Sequence, residues 1–145
     1  MAAVDKTLLK RLGGMPTLQR VHKTFYDKVY AHPWLRPYFT DKPQKLLEDQ
    51  QTDFLAMLMG GGYVYQGKTP KVAHQHMVIT EELFDLRHSM LKESLEEEGV
   101  EEGMRREWLA VDSSLKDALV KNSVTECKRS NPGQMFLDFP KPAHM

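Results

Sequence analysis

Thr69-Pro70-Lys71-Val72-Ala73-His74-Gln75-His76-Met77-Val78-Ile79-Thr80 is the stretch on which the reading of the fold turns. Threonine followed by proline has the form of an N-cap with proline in the first helical turn, where its missing N–H costs nothing. A short helix through His74 follows, and Thr80 is placed to cap another, with Phe84, Leu91 and Leu95 as its apolar stripe and a stop near Gly99. Two histidines fall inside the stretch. His74 precedes Met77 and Val78 by three and four residues, and His76 follows Ala73 and Val72 by the same offsets, so periodicity does not choose between them. Two residues apart on a helix they would point about 200° from each other, which argues against joint chelation of one metal.

Outward from this stretch the pattern stays helical. Upstream, Pro16 suits a first helical turn, and Leu18, Val21, Phe25 and Val29 recur at helical spacing until Ala31-His32-Pro33, where the residue before proline leaves the helical region. A second helix after Pro43 carries Leu47, Phe54, Leu55 and Leu58 on one face and stops at Gly60-Gly61-Gly62; Thr7 to Leu12 adds a turn in front. Downstream, Met104, Trp108, Val111, Leu115, Ala118 and Leu119 define one last helix. Period-2 alternation is missing, so the expectation is an all-α domain over residues 1–127. Residues 128–145 mix proline, glycine and charge and read as a flexible C-terminal tail. The tail carries one apolar island, Met135-Phe136-Leu137 with Phe139, which would otherwise dock on the domain or meet a partner.

Composition excludes several classes of function. The 145 residues suffice for one domain, and a formal net charge of zero gives no pull toward nucleic acid or an anionic membrane. The single cysteine, Cys127, cannot staple its own chain. The first twelve residues lack a signal-peptide pattern, and no apolar run is long enough for a bilayer, so the chain reads as cytoplasmic. There is no CxxC pair, HExxH, Walker loop or GxSxG, and Glu96-Glu97-Glu98 reads as a solvated helix end.

Polar residues on apolar faces are the informative anomalies. Gln51 lies four residues after Leu47, three before Phe54 and four before Leu55. Leaving a buried amide unsatisfied costs about 1–3 kcal/mol, so it either bonds backbone or solvent at the stripe's edge or faces a partner in a cavity. Tyr26, beside Phe25 and three residues before Val29, reads as a rim tyrosine with a wet hydroxyl or as a second group in that cavity.

Taken in order, these pieces resemble a truncated haemoglobin, most closely group I, from about Leu8 to Val120. The resemblance is carried by Leu12-Gly13-Gly14, Phe25-Tyr26-Asp27-Lys28-Val29, His32-Pro33-x-Leu35 and Tyr38-Phe39. It continues through Gln51-x-x-Phe54-Leu55, Gly60-Gly61, Tyr65, Ala73-His74-Gln75, Ile79, Phe84 and Leu95-x-x-x-Gly99-Val100. Each motif is weak alone; the ordered set with matching spacing is specific. Gly62 departs from the proline usual after the glycine pair, His76-Met77-Val78 from the small and basic residues usual there, and Trp108 resembles a group II feature displaced into the last helix.

The resemblance implies a reduced two-over-two helical sandwich around haem b, iron protoporphyrin IX. It implies His74 as the proximal iron ligand, with His76 in reserve, and Phe39 wedged against the haem. Leu47 takes the gate position, and Phe54 and Phe84 belong to the apolar walls. Tyr26 and Gln51 become the distal hydroxyl and amide that steady bound dioxygen. Hydrogen bonds to charge-bearing acceptors are worth about 1.5–3 kcal/mol, so slow oxygen release is expected, with carbon monoxide gaining less. The same pocket would serve a nitric oxide dioxygenase or a peroxidase supplied by a separate reductase. Outside the resemblance, a haem-free helical interaction module with Met135 to Phe139 as its docking peptide is the competing class.

Overall fold

The computed structural model describes residues 7–62 and 65–145; the first six residues of the expected domain, which open the stretch read for a leader, lie outside it. Among the described residues seven α-helices form: α1 (Leu8–Leu12), α2 (Met15–Ala31), α3 (Gln44–Leu58), α4 (Pro70–His74), α5 (Glu81–Glu97), α6 (Glu102–Ser113) and α7 (Lys116–Leu119). The described residues contain no strand beyond an isolated parallel bridge between Met77 and Leu137. None of their helices is long and apolar enough to cross a membrane.

The caps sit where the side-chain chemistry puts them. Thr7, Thr69 and Thr80 each accept a backbone N–H three residues on, opening α1, α4 and α5. Gly13 ends α1 at φ 100°, a left-handed conformation that a side chain would strain. Gly60, at φ 97°, closes α3 where α1 crosses it: Leu9 N–H donates to the Met59 carbonyl at 3.1 Å, and a Cβ on Gly60 would meet the Thr7 methyl at 2.5 Å.

Helix α2 packs on α3 and α5, α5 on α6, and α4 on α7. Leu18, Val21, Phe25 and Val29 are buried, as their spacing predicts, with Leu55, Leu91, Leu95 and Trp108 facing them in the same core. Two expectations fail in detail. Leu58, assigned to the core face of α3, is exposed at the helix end. The single last helix is two, because Ser114 turns its hydroxyl onto the Val111 carbonyl and competes with the helical ladder there; Ala118 consequently faces solvent.

The segment expected to be a flexible tail lies against the domain. Val78 N–H donates to the Leu137 carbonyl at 2.8 Å, and Leu137 N–H to the His76 carbonyl at 2.9 Å. Trp34 Nε1 donates to the Phe139 carbonyl at 3.0 Å, while Tyr38 donates to the Val78 carbonyl and accepts from Phe139 N–H. Leu137 and Phe139 pack on the core, whereas Met135 remains exposed. The physical reason is that residues 76–79 form no helix, so their backbone groups need partners, and the tail supplies them.

Candidate functional site

A cavity of about 480 Å³ opens between α2, α3, α4 and α5. Tyr26, Phe39, Leu47, Gln51, Phe54, His74 and Phe84 all line it. Helix α2 contributes Tyr26 to it, α3 contributes Leu47, Gln51 and Phe54, and α4, capped by Thr69, contributes His74.

His74 is hydrogen-bonded in a definite way. Its Nδ1 lies 2.7 Å from the Pro70 carbonyl, which can only accept, so Nδ1 carries the proton and Nε2 keeps its lone pair. Burial drives the ring's pKa down to about 4, against an opposing pull from that bond, and the imidazole is neutral at ordinary pH. His76 also lines the cavity, but α4 ends at His74, so the opposed directions expected for two residues of one helix do not apply. Its Nδ1 is buried with no partner among the described residues.

On the opposite wall, Tyr26 is not a wet rim residue; it is 7% exposed and enclosed by Phe25 and Phe39. Burial raises its hydroxyl well above the usual phenol range, so it stays a proton donor. Neither that hydroxyl nor the Gln51 amide has a hydrogen-bond partner among the described residues. Two polar groups thus face one cavity with their hydrogen-bonding capacity unspent, which is costly unless a ligand uses it.

Three polar residues, His22 and Asp112 buried and Arg87 half-buried, escaped the sequence reading. His22, 1% exposed, meets Thr52 Oγ1 at 2.7 Å through Nδ1 and Trp108 edge-on, tying α2 to α3 directly behind Tyr26 and Gln51. Burial takes its pKa down to about 3. Arg87, in the cavity wall, forms a two-pronged ion pair with Asp112 at 2.9 and 2.6 Å. The nearby guanidinium holds the Asp112 carboxyl well below the carboxylate range despite burial that pushes the other way. The signal that singled out Gln51 marks all three: His22 follows Leu18 by four, Arg87 follows Phe84 by three and precedes Leu91 by four, and Asp112 follows Trp108 by four. Polar residues at core spacing imply partners, and here they are one another's or a neighbour's.

A family model described as bacterial-like globin matches residues 7–121. The group 1 truncated hemoglobin of Tetrahymena thermophila is 34% identical over 116 residues, which are 79% of this chain and 96% of that protein. Among solved structures, the truncated hemoglobin from Tetrahymena pyriformis in its Fe(III) form superposes with a TM-score of 0.72 at 33% identity, covering 80% of this chain and 100% of that one. The 2/2 hemoglobin from Synechococcus sp. PCC 7002, in the cyanomet state with covalently attached heme, gives 0.72 at 26% identity, covering 78% and 98%.

Proposed function

Since this chain belongs to the bacterial-like globins, as a truncated haemoglobin, we propose that it holds haem b in the cavity between Tyr26 and His74 and binds dioxygen there. The observation that carries the reading is the arrangement of one neutral imidazole, its Nδ1 already engaged, in a cavity with two unpartnered polar groups.

The residues fit the group. A metal ligand histidine needs a neutral ring whose other nitrogen is hydrogen-bonded, and His74 meets both conditions through Pro70. Phe39, Leu47, Phe54 and Phe84 give a flat apolar body its walls, and Lys42 and Lys68 at the cavity edge suit its carboxylates. When bound, the haem supplies an iron that takes a diatomic gas and shifts negative charge onto it. Tyr26 and Gln51 would offer hydrogen bonds to such a gas, the first through a hydroxyl that burial keeps protonated, the second through its amide N–H. Such bonds are worth about 1.5–3 kcal/mol each, and every 1.4 kcal/mol is a factor of ten. Carbon monoxide draws less charge and gains less from both donors.

Stopped-flow release rates test the assignment. Tyr26→Phe and Gln51→Leu should each speed dioxygen release by about tenfold or more while moving carbon monoxide release much less. Equal acceleration of the two gases would remove the donor role from both residues.

A further inference from the structure

The gas-binding reading leaves Arg87 without a task. A guanidinium paired with a buried carboxylate ordinarily serves that partner and presents nothing to a ligand. Arg87 differs because the pair is lopsided. Its side chain keeps 23% exposure at the cavity wall while that of Asp112 keeps 3%, so the negative pole is sealed and the positive pole is not. Asp112 is pinned from a second side by His88 Nδ1 at 2.7 Å, which fixes the carboxylate away from the cavity. The guanidinium lies 5.4 Å from the centre of the Phe25 ring and 5.5 Å from that of Phe84, and two aromatic faces hold its position without quenching its charge. Nothing acidic lines the same cavity among the described residues.

From this geometry we infer that Arg87 is a specificity-determining residue: a fixed positive charge that makes the cavity prefer small monovalent inorganic anions, such as azide and nitrite, over neutral ligands of the same size. The inference rests on the haem-binding reading above. A charge that cannot relax, in a site walled by aromatic rings, discriminates between charged and neutral occupants far more strongly than the same charge in water. Arg87 also draws the Tyr26 hydroxyl toward ionisation against the effect of burial, so its field reaches the distal donor.

The test compares azide binding to the ferric holoprotein with carbon monoxide binding to the ferrous holoprotein, both by optical titration. The informative variant is Arg87→Met with Asp112→Asn, which removes both charges together and leaves no carboxylate buried alone. The azide Kd should rise about tenfold, equivalent to about 1.4 kcal/mol, while the carbon monoxide Kd stays within about threefold. Parallel shifts for the two ligands, or an unchanged azide Kd, overturn the proposal. Should the double variant not fold, Arg87→Gln keeps a hydrogen-bond donor for Asp112, which His88 still holds, and removes the charge from the cavity wall. Its C–O stretching band should then lie at higher frequency than in the wild type, and an unmoved band overturns the proposal. A wild-type protein with no Soret band after haem addition overturns the underlying haem reading before any anion is added.

Discussion

On the α2–α3 side of the cavity, the Tyr26 hydroxyl and the Gln51 amide have no protein partners among the described residues. On the α4 side, the groups around His74 are hydrogen-bonded, His76 Nδ1 excepted. His74 Nδ1 is engaged by Pro70, the His74 carbonyl accepts from Met77, Gln75 accepts from Lys128, and His76 and Val78 bond Leu137. On the proposed function, the difference separates two tasks. A donor meant for a ligand must be left free of its own protein, and its desolvation is tolerated because the ligand completes it. A metal ligand must instead be oriented beforehand, and every neighbouring bond narrows its choices. The free side is not soft, however: the His22–Thr52 bond clamps the two helices that carry its donors.

The largest effect expected from breaking this contrast comes on the bonded side. His74→Ala should abolish ordinary haem uptake, and an unaltered five-coordinate ferrous spectrum would pass the ligand role to another residue, His76 first. Next is the clamp behind the free side. His22 has a folded pKa of about 3 against an ordinary 6.5, so the unfolded chain binds the extra proton first as pH falls. Its stabilising effect is complete above about pH 6.5 and is lost progressively toward pH 3, by about 1.4 kcal/mol per pH unit. Urea unfolding of the protein at pH 7 and pH 5 should show this loss, and His22→Gln, which keeps a polar partner for Thr52 but cannot titrate, should remove the share due to His22 and leave that of His74, whose ring burial also holds down to about 4. The smallest effect tests the tail. Trp34→Phe removes one bond to Phe139, and Phe139→Ala removes the ring that meets Tyr38 edge-on at 4.9 Å. Each should hasten haem loss to a scavenging apoglobin by a few fold, about 1 kcal/mol or less, and leave dioxygen release nearly unchanged. A change in dioxygen release as large as that from Tyr26→Phe would mean that the two sides are not independent.

The helices were legible because threonine caps, Pro16, Pro70 and the glycines act locally, through bonds to residues three or four away. The seven cavity residues were legible because polar groups on an apolar stripe, in this order and spacing, resemble a known family. Arg87 and Asp112 obey the same rule, yet charged residues default to a solvated face, and their pairing depends on how α5 meets α6. The tail illustrates the other limit. Its decisive bonds run between backbone groups of Leu137, His76 and Val78, and a main-chain donor has no residue-type signature. The kink at Ser114 was hidden for a related reason: the apolar repeat carries straight through it, from Val111 to Leu115.

That docking has a consequence for the order of events during synthesis. The ribosome makes Val78 well before Leu137, and until Leu137 emerges the stretch just beyond His74 lacks the strand-like partner that fixes it. The nascent chain can assemble the Tyr26 and Gln51 wall early, but the opposing imidazole gains its last restraints late. Capture of the prosthetic group by a fully tethered pocket is therefore an event that follows translation of residue 137 rather than accompanies the making of the helices.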